Sequence, residues 1–276
     1  MCIVTGTTSG IGRSTALALA RAGATLGLVC RDAGRAEAVV RAIRDETGST
    51  AVEVFLGDLA SQAAIRRVAA AILARYPQIH LLVNNAGIVN LKREDTGDGI
   101  EAVFAVNHLA YFLLTHLLLE RLRESAPSRI VNVASDAHKF VKGINFDDIG
   151  FAGGYKSMRV YGHSKLANLL FTFELARRLE GSGVTVNAVH PGAVATGLGK
   201  NNGTVATLLI RTLAPFFRTP DKGAATTLYV ATSPALDGVS GRYFASCREQ
   251  RSSAASLDRD VSPCRCTSRA MMITAA

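Results

Sequence analysis

The chain has 276 residues, 48% hydrophobic and 19% charged, a balance that can bury a sizeable core and excludes intrinsic disorder. Its formal net charge is +9, yet the arginines are scattered and no basic run interleaves with aromatics, so a nucleic-acid partner is not expected. Five cysteines (Cys2, Cys30, Cys247, Cys264, Cys266) are too few and too unevenly spread for a disulfide framework, which predicts a reducing, cytoplasmic setting.

The apolar start at Met1 runs straight into a glycine-rich turn, unlike a signal peptide. No uninterrupted apolar run reaches the roughly 18–20 residues of a membrane span, so none is expected.

Short apolar runs alternate with helical stretches. Cys2-Ile3-Val4 leads into a helix over about Ile11 to Ala22, and a strand at 25–30 precedes a helix at 33–47. A strand at 52–56 precedes a helix at 61–75, and Leu81-Leu82-Val83 precedes a long apolar helix near 100–123. A strand at 129–133 precedes a helix at 160–180, and one at 184–189 precedes a helix at 221–232, with 241–244 able to close the sheet. Apolar strands alternating with helices predict an α/β fold: a single doubly wound parallel sheet of about seven strands, Rossmann-type, over residues 1–245. From Ser246 onward the sequence has no strand or helix period and predicts an unstructured tail, 246–276. Within it, Cys264 and Cys266 lack a second ligand pair for a metal.

Between the first strand and first helix stands Thr5-Gly6-Thr7-Thr8-Ser9-Gly10-Ile11-Gly12. Strand, glycine loop and helix in that order predict a dinucleotide site. Gly6 permits a tight turn, Gly10 lets backbone approach a pyrophosphate, Gly12 permits close packing, and the helix N-terminus faces the phosphates. Where a free ribose 2′-hydroxyl would want an acid, Cys30 is followed by Arg31, which can pair with a 2′-phosphate. NADP(H) is therefore favoured, and Asp32 keeps NAD(H) possible. Asp58 after the third strand could accept from an adenine amino group or cap the next helix.

Tyr161 and Lys165 are four residues apart on an expected helix, so they share one face. A phenol titrates near 10, and a neighbouring ammonium would favour its phenolate, fitting Tyr161 for proton transfer. Tyr155 has Arg159 at the same spacing but sits in the glycine-bearing entry, ahead of the expected helix start, and does not meet this requirement.

The segments TGTTSGIG (5–12), GDLA (57–60), NNAG (84–87), VNH (106–108), VNVAS (131–135), YGHSK (161–165) and HPGAVAT (190–196) stand in one order. In that order the chain resembles the short-chain dehydrogenase/reductase family over residues 1–245. CRD (30–32), VNHLAYFLLT and YGHSKLANLLF point to its retinol-dehydrogenase-like branch.

The resemblance implies hydride transfer between NADP(H) and a small carbonyl or alcohol. Tyr161 would be the general acid/base and Lys165 its modulator, Ser135 would bind the substrate oxygen, and Asn107 would hold a kinked helix and a relay water. It implies cofactor contacts from Gly6, Ser9, Gly10, Ile11, Gly12, Arg31, Asp58, Leu59, Asn85, Ala86, Gly87, Tyr161, Lys165, Pro191, Gly192, Val194 and Thr196. It also implies a substrate loop at 197–220, whose apolar side chains favour a lipophilic substrate, and helix pairing into a homodimer or homotetramer.

The histidines have no metal-ligand spacing, and the chemistry needs no metal. The 25 residues between Ser135 and Tyr161, longer than in many members, are expected to wall the substrate site. Two departures stand out. The first strand starts late and without the anchor of membrane-bound relatives, which predicts a soluble protein, and the tail lacks the usual apolar-faced helix, as in a frameshifted end. Two other functions are open. Reduction of a carbon–carbon double bond, as in protochlorophyllide reductases, is disfavoured by Asn84 where those relatives usually have cysteine. A silent dinucleotide-binding scaffold is disfavoured by the complete Asn107, Ser135, Tyr161 and Lys165 set.

Overall fold

Each short apolar run becomes a strand and each Ala- and Arg-rich stretch a helix. The computed structural model describes residues 1–194 and 218–258. The first half runs β1 (Cys2–Thr5), α1 (Gly10–Arg21), β2 (Leu26–Cys30), α2 (Ala33–Thr47), β3 (Val52–Leu56), α3 (Gln62–Arg75) and β4 (Leu81–Asn84). The helical run α4 (Ala102–Glu124) follows. Then come β5 (Ser128–Val133), α5 (Ser157–Arg178), β6 (Val184–His190), α6 (Pro220–Thr232), β7 (Tyr243–Ala245), β8 (Arg248–Glu249) and α7 (Ala254–Leu257).

The strands form one sheet in the order β3-β2-β1-β4-β5-β6-β7-β8. Every pairing is parallel except β7 with β8. Alternate residues face opposite layers, as the pleat requires. Ile3, Leu82 and Ile130 join the core under α3, α4 and α5. Their neighbours Val4, Val83 and Val131 join the core under α1, α2 and α6. Burial on both faces is why these strands are apolar throughout instead of alternating. Strand order reverses between β1 and β4, which opens a crevice at their carboxyl ends, where open α/β sheets take ligands.

Three findings differ from the sequence expectations. First, Ala102–Glu124 spans 23 residues at mean hydropathy 1.7, long and apolar enough to cross a membrane by length and composition. It lies inside the fold instead, with 78% of its most apolar stretch buried. Second, the N-cap of α3 is Ser61, whose side chain accepts from the Ala64 amide, while Asp58 accepts from the Ala60 amide at 3.0 Å. Asp58 closes a turn ahead of the helix and does not cap it.

Third, an ordered hairpin continues past residue 245 and adds an eighth strand to the sheet. Its turn places Ser246 at φ 51° and Cys247 at φ 57°, the left-handed pair that matches hairpin twist. Such a conformation costs a non-glycine residue on the order of 1–2 kcal/mol, so local sequence does not announce it. Residues 195–217, which hold Thr196 and most of the expected substrate loop, lie outside the described residues, as do Cys264 and Cys266.

Candidate active site

The glycine loop bends where its sequence allows. Gly6 (φ 71°) and Gly10 (φ 56°) both take left-handed backbone, which glycine adopts without a steric penalty. A Cβ on Gly6 would lie 2.7 Å from Ala86 Cα, and one on Gly12 2.2 Å from the Gly6 carbonyl oxygen. These two glycines therefore pack the turn, the start of α1 and the end of β4 into contact.

Asn85 stitches the same junction. Its side-chain amide donates to the carbonyls of Thr5 (2.8 Å) and Gly6 (3.3 Å). Thr5 Oγ1 accepts from the amides of Asn85 and Ala86. Asn85 thus shapes the loop from beneath.

The N-terminus of α1 is open to an anion. Ser9 is its N-cap residue but makes no side-chain cap, and no acid stands in the first turn. Among the described residues, the amides of Gly10, Ile11 and Gly12 are thus first-turn donors with no side-chain partner. Arg31 is exposed at the end of β2, and its neighbour Asp32 is committed to capping α2 through the Arg35 amide at 2.9 Å. The donor set fits a dinucleotide: helix amides for phosphates, and an exposed guanidinium at the end of β2. Leu59 is buried in the core under α3, so it can offer only backbone there. Pro191, Gly192 and Val194 follow β6 and complete the carboxyl edge; Val194 packs near Ile11 at the position where a Cβ on Gly223 would stand.

The four residues expected to carry the chemistry converge on that edge. A π-turn at Ala105–Leu109 interrupts α4 and presents Asn107, the kind of bulge that recurs at functional sites. Asn107 Oδ1 accepts from the Ile88 amide at 2.8 Å, and its Nδ2 donates to the Ile88 carbonyl and to Ser164 Oγ. A Cβ on Gly87 would sit 3.3 Å from Asn107 Oδ1 and 3.8 Å from Lys165 Nζ, so that glycine keeps the approach clear.

Lys165 is buried, and its Nζ donates to the Val133 carbonyl at 2.8 Å. Nζ lies 5.5 Å from the centroid of the Tyr111 ring and 5.7 Å from that of the Tyr161 ring. Ser135 Oγ accepts from the Ala137 amide at 3.2 Å, which leaves its proton free to donate.

Burial sets the direction of both shifts in this pair. It pushes the Tyr161 phenol up to about 12, against a smaller lowering by its hydrogen bond to Ser135. Burial also brings the Lys165 ammonium down to about 7. The lowering expected from a Lys165 ammonium is opposed here by burial, which also desolvates the ammonium itself. At neutral pH Tyr161 is a protonated acid.

Tyr155 lies elsewhere. Its hydroxyl donates to the Asn90 carbonyl at 3.2 Å, with Glu101 Oε1 at 3.5 Å, and ties the entry of α5 to the loop before α4. Asp148 closes a turn on the amides of Ala152 and Gly153. Ile144 and Ile149 pack on Phe104, Leu109 and Phe112, so the long segment before α5 lies on the helices that carry Asn107 and Tyr161.

Sequence reasoning missed Tyr111, one turn beyond Asn107, which donates to the Ala86 carbonyl at 2.8 Å beneath Lys165. Its four-residue spacing from Asn107 was the available signal. A cavity of about 1110 Å³ opens at the other end of the sheet, among Cys2, Leu81, Arg129 and Val184. It holds none of these groups, and chemistry places the site at the carboxyl edge.

Comparison with known proteins agrees with the geometry. The short chain dehydrogenase family model matches residues 1–205. Retinol dehydrogenase 12 of Mus musculus is 46% identical over 246 residues, covering 89% of this chain and 77% of that protein. Retinol dehydrogenase 14 of Homo sapiens is 44% identical over 277 residues, covering 94% and 82%. A short-chain dehydrogenase from Sphingobium yanoikuyae, solved in complex with NADPH, superposes with a TM-score of 0.67 at 31% identity, covering 83% of this chain and 82% of that one. The chain thus belongs to the short-chain dehydrogenase/reductase family, as a retinol-dehydrogenase-like oxidoreductase.

Proposed function

We propose that this protein interconverts a carbonyl and an alcohol on a lipophilic small molecule, with NADP(H) as the preferred cofactor and Tyr161 as general acid/base. The carrying observation is the convergence of Asn107, Ser135, Tyr161 and Lys165 at the carboxyl edge, beside an uncapped helix N-terminus. A bound nicotinamide supplies or accepts the hydride. In reduction, the Tyr161 hydroxyl protonates the nascent alkoxide while Ser135 Oγ donates to the same oxygen and stabilises its charge. Lys165 Nζ, 5.7 Å from the centroid of the Tyr161 ring, sets a titratable amine beside the phenol, and Asn107 holds the kinked helix against Ile88 and Ser164. In oxidation the same groups act in reverse.

A lipophilic substrate is supported by the relatives, named as retinol dehydrogenases, since retinol is an apolar alcohol. The decisive experiment incubates the protein with NADPH and a panel of aliphatic, aromatic and polyene aldehydes and follows nicotinamide absorbance. Consumption rising with apolar chain length supports the proposal, and no consumption with any carbonyl overturns it.

The NADP(H) preference rests on Arg31 and on the commitment of Asp32 to α2. Arg31→Ala is expected to weaken NADPH binding by about tenfold, the loss of one charge-assisted phosphate contact, and to leave NADH binding within twofold. Titration of cofactor fluorescence measures both; equal losses for the two cofactors would remove Arg31 from this role.

A further inference from the structure

We infer that His138 and the Ser253 amide form a clamp that positions Ser135, so the chain beyond β7 belongs to the working site. The inference rests on the reading of Ser135 as the residue that binds the substrate oxygen. The sequence pattern places no element at Ser253, and it lies 115 residues from His138.

The hydrogen bonds fix the direction of the clamp. The Ser253 amide donates to His138 Nε2 at 3.1 Å. A nitrogen that accepts carries no proton, so the proton of a neutral ring must sit on Nδ1. His138 Nδ1 lies 2.6 Å from the Ser135 carbonyl oxygen, which also takes the His138 amide at 3.1 Å. The Ser253 amide thus selects the tautomer whose Nδ1–H holds the backbone of Ser135. The ring is fully buried, and burial lowers its pKa, which keeps it neutral.

The next residue is held from two further sides. The Asp136 amide donates to His190 Nδ1 at 3.3 Å, and Tyr243 of β7 donates its hydroxyl to Asp136 Oδ1 at 2.9 Å. The Tyr243 ring also meets the His138 ring edge-on at 5.3 Å. The hairpin that carries Ser253 to this point is registered on β7 by the Gln250 amide, which donates to the Tyr243 carbonyl at 2.8 Å. Ser135 therefore receives its orientation from β6, β7 and the segment after β8. A displacement of about 1 Å at a reacting group costs up to about a hundredfold in rate.

The test is a double-mutant cycle. Ser253 has φ −67°, close to the fixed value of proline, so Ser253→Pro removes the amide proton without altering that angle. His138→Asn replaces Nδ1–H by an amide donor that has no tautomer to select. Ser253→Pro is expected to lower kcat for NADPH-linked carbonyl reduction at least tenfold with cofactor Kd unchanged. In the His138→Asn background the same proline is expected to cost less than threefold. Equal losses in both backgrounds would show a general structural effect and overturn the clamp, as would an undiminished kcat for Ser253→Pro.

Nitrogen-15 NMR of histidine-labelled wild-type protein at pH 7 gives an independent reading should the proline variant not fold. A protonated Nδ1 and bare Nε2 on His138 support the clamp; the opposite tautomer or an imidazolium overturns it. If the tautomer is as stated and wild-type protein turns over no carbonyl, the functional proposal falls and the hydrogen-bond clamp stands.

Discussion

Tyr161→Phe is expected to lower kcat for carbonyl reduction by about a thousandfold, within the ~10²–10⁴ range of a positioned general acid. The Kd for NADPH should stay within twofold. The variant keeps the ring and its packing and loses the hydroxyl hydrogen-bonded to Ser135. Tyr155→Phe, six residues earlier, removes only contacts to Asn90 and Glu101 and is expected to keep turnover.

The wild-type pH profile adds a second check. A phenol raised to about 12 is protonated across an assay range of about pH 6–9, so reduction should be flat in its acid component. Oxidation needs the phenolate, whose fraction rises about tenfold per pH unit below that value. Stopped-flow single-turnover rates in both directions, with the two phenylalanine variants alongside, measure all of this. A Tyr155 variant that loses turnover while Tyr161→Phe keeps it would reverse the assignment.

Lys165→Met is expected to stabilise the cofactor-free protein while reducing turnover at least a hundredfold. The ammonium is buried and burial lowers its pKa from 10.5 to about 7. The unfolded chain therefore binds more protons than the native state between those values, and wild-type stability rises with pH through that window. Below about pH 7 the full desolvation cost is present. A methionine of similar shape removes it, less about 1 kcal/mol for the lost bond to Val133, for a net gain of roughly 2–4 kcal/mol.

For a chain of this size that corresponds to about 5 °C or more in Tm at pH 6. The advantage should shrink as pH is raised toward 10. Thermal melts at pH 6, 8 and 9.5 test the sign, and a variant that melts below wild type at pH 6 would refute it. A Lys165→Met variant that melts above wild type at pH 6 marks the site as one where stability is given up for chemistry, as enzymes commonly do.

The sequence made much of this legible because its signals are local. Strand, glycine loop and helix are adjacent, and the four-residue spacing of Tyr161 and Lys165 fixes a shared face. The same spacing left Tyr155 off that face, and its hydroxyl indeed bonds to another loop.

What stayed hidden was long-range. The direction of the Tyr161 pKa follows from how deeply its pocket is closed, and a neighbour's charge read from sequence spacing pointed the other way. Tyr111 and Lys165 come together only through the packing of α4 on α5. The hairpin after β7 depends on left-handed Ser246 and Cys247, a conformation their side chains disfavour and only tertiary pairing imposes. The burial of Ala102–Glu124 is likewise invisible in composition, since a core helix and a spanning helix share it.

That hairpin also decides how the sheet ends. A parallel sheet that stopped at β7 would leave a row of unpaired amides and carbonyls, ready to template a strand from any other chain. β8 closes that row with two exposed, oppositely charged residues, Arg248 and Glu249, the latter paired with Arg242. Two residues are too few to offer a new neighbour a useful ladder, and their charges remain hydrated. Among the described residues, the sheet thus meets any neighbouring copy at this border with a short, salted hem instead of an adhesive edge.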